Sequence, residues 1–157
     1  MTKRTLGIDV GLNGAIALVV DGELVSVVDM PTVTLDRNGK AKRQVSVPEL
    51  VDIIKQFDPT DVYTERVFAM AGQGVTSVFS FGRSLGVVEG VLGALRIKNS
   101  LVTPQTWQKG IGVTGGKDGS RARAMELFPD QTALFKRVKD DGRSDAALIA
   151  LWGSKNG

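Results

Sequence analysis

Asp9 interrupts the apolar run LGIDVGLNGAIALVV, Glu65 closes the apolar segment VYTE, and Asp141 and Asp145 stand at the entry to the apolar stretch DAALIALWG. An unpaired buried carboxylate is expensive, so each acid must be protonated, paired with a cation or bound to a metal. Asp141 lies four residues before Asp145, on the same side of a helix start, while Asp140 lies one residue off that line. Acids at a helix start also cap it and complement its dipole, which is the competing explanation for this pair. Taken with Asp9 and Glu65, one explanation serves all four acids: they share a divalent cation.

What the chain lacks narrows the chemistry. Its 157 residues contain no histidine, which excludes Ser-His-Asp triads, Cys-His pairs and histidine-metal nucleases. They contain no cysteine either, which excludes thiol chemistry, disulfides and thiolate zinc sites. Catalysis must run on carboxylates, lysines, hydroxyls and oxygen-ligated ions such as Mg²⁺ or Mn²⁺. Hydrophobic and charged fractions of 42% and 24% are ordinary for a globular chain, and the length suits a single α/β domain over residues 1–157. The net charge of +3 mildly favours a polyanionic partner. No apolar stretch reaches membrane-spanning length and no signal peptide precedes MTKRTLGID, so a cytoplasmic protein with no membrane partner is expected.

The elements that must position the acids are legible in outline. Residues 4–10, 15–20 and 23–30 read as strands, joined by an Asn13-Gly14 turn and an Asp21-Gly22 turn into an antiparallel meander. Residues 32–45 are polar and basic and read as an extended loop or hairpin excursion, and a Ser46-x-x-Glu49 capping box then opens a helix. VYTERVF, 62–68, reads as a buried strand parallel to the first, so that Asp9 and Glu65 end on one edge of the sheet, the usual ligand-binding edge of α/β sheets. A helix over 76–95 carries Gly82, Gly86, Gly90 and Gly93, each costing ~1 kcal/mol relative to alanine. That smooth face must meet another backbone, either the protein's own sheet or a second subunit. A strand at 100–104, a helix or turn at PQTWQKGIG, a glycine-rich loop and two further helices complete the order βββαβαβαα, a mixed sheet flanked by helices. Gly7, Gly11 and Gly14 make neither a dinucleotide fingerprint, which needs a helix where AIALVV follows, nor a Walker A loop, which needs Lys-Ser or Lys-Thr. No nucleotide cofactor is expected.

The segments LGIDVGLNGAIAL, TERVFAMAGQGVTSVFSFGRSLGVVEGVL, TPQTWQKGIG and DGRSDAALIALWG, in that order, resemble the RuvC family of Holliday junction resolvases over nearly the whole chain, and its short bacteriophage-type branch most. The resemblance implies an RNase H-like fold and a homodimer. It also implies hydrolysis of branched DNA, chiefly four-way junctions, with two Mg²⁺ or Mn²⁺ per site, leaving 5′-phosphate and 3′-hydroxyl ends. By motif, Asp9 corresponds to the first-strand acid, Glu65 to the acid that opens E-x-V-F, and Asp145 to the acid of the D-A-x-x-I-A helix. The family's fourth acid lies three residues before the last, where this chain has Gly142, so Asp141 is the nearest replacement. Phe68 corresponds to an aromatic that lies close to the junction in the family and can stack on bases; a core phenylalanine is the alternative.

DNA approaching an acidic edge needs positive charge around it. Arg83, Lys109, Lys117, Arg121, Arg123, Lys139 and Arg143 are the candidate phosphate contacts, with Lys136, Arg137 and the 37–43 run beside them. Three other classes share parts of this pattern. An RNase H-like nuclease acting on RNA–DNA hybrids or RNA precursors would use the same carboxylates. A junction-binding protein without catalysis would not need them intact. Sugar kinases and actin-like ATPases share a GIDVG opening but need two such domains to enclose ATP.

Overall fold

The computed structural model describes residues 2–67 and 71–157. The chain runs β1 (Arg4–Asp9), β2 (Ala15–Val20), β3 (Glu23–Asp29), β4 (Thr32–Arg37), β5 (Lys40–Val45), α1 (Val47–Phe57), β6 (Asp61–Glu65), α2 (Val75–Ala94), β7 (Asn99–Val102), α3 (Pro104–Ile111), α4 (Gly119–Leu127) and α5 (Asp141–Asn156). Three short 3₁₀ turns cover Gly116–Asp118, Pro129–Leu134 and Val138–Asp140. Five strands form a mixed sheet in the order β3-β2-β1-β6-β7, with β1, β2 and β3 antiparallel and β1, β6 and β7 parallel. This is the meander with parallel strands that the sequence predicts.

Strand alternation assigns the two faces. Leu6, Ile8, Ile16, Leu18 and Val62 point to one side and pack with Leu50 and Ile54 of α1 and Val88 and Leu92 of α2. Ala15, Ala17, Val19 and Tyr63 point to the other and pack with α3, α4 and α5, through Trp107, Ala124, Ala146 and Ala150 among others. Small residues on both partners let α5 lie close over β1. At Gly7 a Cβ would stand 2.2 Å from the Ala146 carbonyl oxygen and 2.4 Å from the Ala150 nitrogen, so only glycine admits the helix there.

Several local expectations are corrected. The Asn13-Gly14 turn is not a positive-φ pair: the left-handed residue is Gly11 (φ 138°), and Gly14 instead allows close approach, its Cβ position lying 1.8 Å from the Asp9 carbonyl oxygen. The pairs Asp21-Gly22 (φ 51° and 85°) and Asn38-Gly39 (φ 54° and 76°) both take the left-handed turn, and the second closes β4–β5, a separate two-stranded sheet where the sequence left a loop or hairpin open. Ser46 occupies the N-cap of α1 but makes no side-chain capping hydrogen bond. Helix α2 is long and apolar enough to span a bilayer by length and composition, contrary to expectation. Its Val88, Val91 and Leu92 are nevertheless buried against the protein's own core, and it carries Arg83 and Glu89. The glycine stripe of α2 does not pack on the sheet: among the described residues nothing lies within 4 Å of a Cβ placed at Gly82, Gly86, Gly90 or Gly93.

Candidate active site

Parallel pairing sets Gly7 opposite Tyr63 and Ile8 opposite Thr64, so the next step of the register places Asp9 beside Glu65 at the carboxyl ends of β1 and β6. Both lie on the face covered by α5, because they share the parity of Gly7 and Tyr63. The close approach at Gly7 brings the first turns of α5, with Asp141 and Asp145, over that edge. The four acids feel one another. Burial pushes the Asp9 carboxyl well above the usual carboxylate range, and the charges of Asp145, Glu65 and Asp141 push it further. Asp145 is pushed up to about 7, chiefly by burial, with Glu65 and Asp141 adding to it and a hydrogen bond from Ser120 opposing it. Burial also raises Glu65, against a hydrogen bond from Trp107.

Trp107 has a role in the site that the motif TPQTWQKGIG does not reveal by itself. Its indole N–H donates to Glu65 Oε2 at 2.6 Å, and its ring is fully buried. Thr103 caps α3, its hydroxyl oxygen accepting from the Thr106 N–H, and that fixes the helix carrying the indole. The available signal was the tryptophan itself, since a buried indole N–H needs an acceptor and acids on neighbouring strand ends supply one.

Asp140 and Asp141 have opposite surroundings. Asp140 is 1% exposed and receives Arg137, whose Nη2 lies 2.8 Å from Oδ1, with Arg143 Nη1 at 3.7 Å. The hydrogen bond from Arg137 holds its carboxyl below the usual range, so Asp140 is a structural anion. Asp141 is half-exposed and adds its charge to those acting on Asp9 and Asp145. The missing acid at 142 also has a cause. A Cβ on Gly142 would stand 2.3 Å from the Asn13 carbonyl oxygen, so α5 docks on the β1–β2 loop only without a side chain there.

Hard oxygen donors on four converging acids suit Mg²⁺ or Mn²⁺. Among the described residues no group of three or more acids forms a closed cage at ligating distance. Their coupling is electrostatic: burial first and neighbouring like charge second raise the proton affinity of Asp9 and Asp145. Desolvated like charges with raised proton affinity are the condition that a divalent cation relieves.

The structure divides the expected phosphate contacts. Lys109, Lys117 and Lys139 are exposed, and among the described residues none forms an ion pair. Arg121 is 8% exposed and is committed internally: it ion-pairs with Asp118, donates from Nε to Asp141 Oδ1 at 3.1 Å and from Nη1 to the Lys136 carbonyl at 2.9 Å. Arg143 binds both oxygens of Asp29, at 2.8 and 3.0 Å. Arg123 donates to the Ile111 carbonyl at 2.8 Å and pairs with Glu126. All three guanidiniums already have partners within the chain, and Arg121 holds Asp141 itself. Arg83 lies on α2, in a separate cleft. Phe68 lies outside the described residues.

No family model matches the chain. Over 82 residues, 49% of this chain, it is 37% identical to the chloroplastic Holliday junction resolvase MOC1 of Chlamydomonas reinhardtii, and the match covers 8% of that protein. T. thermophilus RuvC, solved in complex with a Holliday junction substrate, aligns over 99% of this chain and 96% of its own, with a TM-score of 0.64 at 16% identity. The fold is that of the RuvC-like resolvases. The yeast mitochondrial Holliday junction resolvase Ydc2 aligns at a TM-score of 0.56 and 16% identity, over 96% of this chain and 78% of its own. The fowlpox virus Holliday junction resolvase aligns at 0.54 and 13%, over 98% of both chains. In this fold the four acids gather near the carboxyl ends of the central parallel strands.

Proposed function

We propose that the chain is a divalent-metal-dependent endonuclease that resolves four-way DNA junctions, and other branched DNA, by paired phosphodiester hydrolysis. The observation that carries this reading is the convergence of Asp9, Glu65, Asp141 and Asp145 from three separate elements onto one sheet edge. These residues would hold Mg²⁺ or Mn²⁺, two per site, which when bound supply Lewis-acid polarisation of the phosphate and an activated water. The chain's other groups orient the ligands: Trp107 holds Glu65, Ser120 donates to Asp145, and Arg121 steadies Asp141. Products carry 5′-phosphate and 3′-hydroxyl ends.

A homodimer suits this chemistry, because a four-way junction needs symmetric nicks on opposite strands. The exposed glycine stripe of α2 borders an apolar groove lined by Val47, Val51, Val87 and Leu95, and this is the face proposed to take the second copy. Sedimentation showing a monomer at micromolar concentration would remove the dimer. One gel tests the activity: protein and Mg²⁺ with a mobile four-way junction, a Y-fork, duplex DNA and an RNA–DNA hybrid. Junction cleavage by the wild type, lost in Asp9→Asn with binding retained, is the expected result. Cleavage of the hybrid alone would transfer the reading to an RNase H-like ribonuclease, and full activity in Asp9→Asn would end it.

A further inference from the structure

Arg121 and Arg143 near the carboxylates are paired with acids, whereas basic side chains of the β4–β5 hairpin and of the facing stretch of α2 are in no ion pair among the described residues. Among the described residues Arg37, Lys42 and Arg83 form no ion pair. The hairpin register pairs Arg37 with Lys40, Leu35 with Lys42 and Val33 with Gln44, so alternation gathers Arg37, Lys40 and Lys42 on one face. Between the hairpin and the N-terminal half of α2 lies a cleft of about 440 Å³, lined by Arg37, Lys42 and Gln44 on one side and Phe79, Ser80 and Arg83 on the other, with no acid among the described residues of its walls. Arg43 Nη2 donates to the Leu12 carbonyl at 2.9 Å and its Nη1 to Asn13 at 3.1 Å, tying the hairpin to the loop that follows Asp9.

Two features ask for a ligand. Arg83 Nη1 is buried and has no hydrogen-bond partner among the described residues, a costly state for a charged donor. Phe79 is 74% exposed, a large apolar surface beside a cationic wall. An isolated two-stranded sheet is marginally stable, and this one stands apart from the main sheet, tied to it through Arg43.

We propose that this cleft binds a single DNA strand, its phosphates on Arg37, Lys42 and Arg83 and one unstacked base against Phe79. Spaced cations without acids select a polyanion, and the aromatic surface selects one that carries bases, since every base offers a face for stacking. The volume accommodates a nucleotide rather than the girth of a duplex. Because the cleft reaches Leu12, three residues beyond Asp9, a strand leaving it runs toward the carboxylates. The proposal rests on the reading of the chain as a nuclease of branched DNA, and adds to it a strand-holding site away from the metal ligands.

Fluorescence anisotropy with a labelled oligothymidine and a four-way junction, in EDTA and over a range of salt, tests it. Phe79→Ala and Lys42→Gln change exposed side chains, so their melting temperatures stay at the wild-type value. Phe79→Ala is expected to weaken oligothymidine binding about tenfold with the salt slope unchanged. Lys42→Gln is expected to lower the slope of log K against log salt by about 0.7. Wild-type affinity and slope in both variants overturn the proposal. So does displacement of the strand by polyglutamate at matched charge together with an inert Phe79→Ala, which would make the cleft a site for acidic peptides. Junction cleavage lost in Asp9→Asn but unaltered strand binding in the cleft variants would sink this inference alone. A wild type that holds the strand yet cuts no branched DNA would sink only the nuclease reading.

Discussion

Asp145→Asn is expected to make the metal-free protein more stable while destroying its activity. The Asp145 carboxyl is displaced from its ordinary 3.8 to about 7. At pH 8 the folded chain therefore keeps ionised a group that its surroundings would rather protonate, whereas in the unfolded chain the same group ionises freely. At about 1.4 kcal/mol per pH decade the displacement corresponds to at most about 4 kcal/mol. Asp145 is only partly buried, and water at the mouth of the site reduces this to about 2 kcal/mol. Asparagine removes the charge and keeps an oxygen to accept the Ser120 hydrogen bond. For a chain of this size the gain is a rise in Tm of about 4–8 °C. Circular dichroism melting in EDTA at pH 8 reads it directly. A raised acid costs stability above its folded pKa, and that cost fades as pH falls toward its unfolded value, so the advantage of Asp145→Asn must shrink from pH 8 to pH 5. Added Mn²⁺ should then raise the wild-type Tm and leave that of Asp145→Asn nearly unmoved. A variant that melts at or below the wild type in EDTA at pH 8 would refute the claim that burial, with like charge added to it, makes the ionised Asp145 a cost to the native fold.

Trp107→Phe removes the donor to Glu65, so the Glu65 carboxyl rises further and the acid limb of the pH–rate profile moves to higher pH; an unmoved limb would make Trp107 a packing residue only. Asp140→Asn should lower stability by about 1–2 kcal/mol, because it weakens the charge-assisted hydrogen bonds to a half-exposed Arg137, yet leave metal-dependent cleavage in place. Asp141→Asn should abolish cleavage, and since Arg121 keeps Asp118 as a partner its stability cost stays small, so paired melting and cleavage assays separate the two. Gly7→Ala drives a methyl into the α5 backbone and should cost about 1–3 kcal/mol by denaturant titration, with cleavage falling more than stability because Asp145 moves away from Asp9.

The carboxylates were legible because they break a local rule: acids inside LGIDVG and at the end of VYTE contradict the apolar pattern around them, and such contradictions concentrate at functional sites. The meander was legible from alternation and from Asp21-Gly22. Asn38-Gly39 carried the same turn signal in a segment too polar for its strands to stand out. The fate of the arginines was hidden to the degree that their partners are distant. Arg137 with Asp140 and Arg121 with Asp118 lie three residues apart, and helical spacing could have found them. Arg121 with Asp141 and Arg143 with Asp29 span 20 and 114 residues, and only the folded chain brings them together.

Gly142 shows how the two kinds of information combine. From the sequence it is only a departure from a family pattern, an acid missing at the expected step. In the fold it is the contact on which α5 rests against the β1–β2 loop, with the Asn13 carbonyl in the space a side chain would need. An acid therefore cannot occupy 142 while that loop keeps its course, and the residue one step earlier presents its carboxylate from a different angle on the helix. Arg121 reaches that carboxylate through Nε and is itself tied to Asp118 and to the Lys136 carbonyl. The displaced acid and the buried arginine thus form one solution. Asp141 can face Asp9 and Asp145 from its shifted position because a cation anchored elsewhere holds it there.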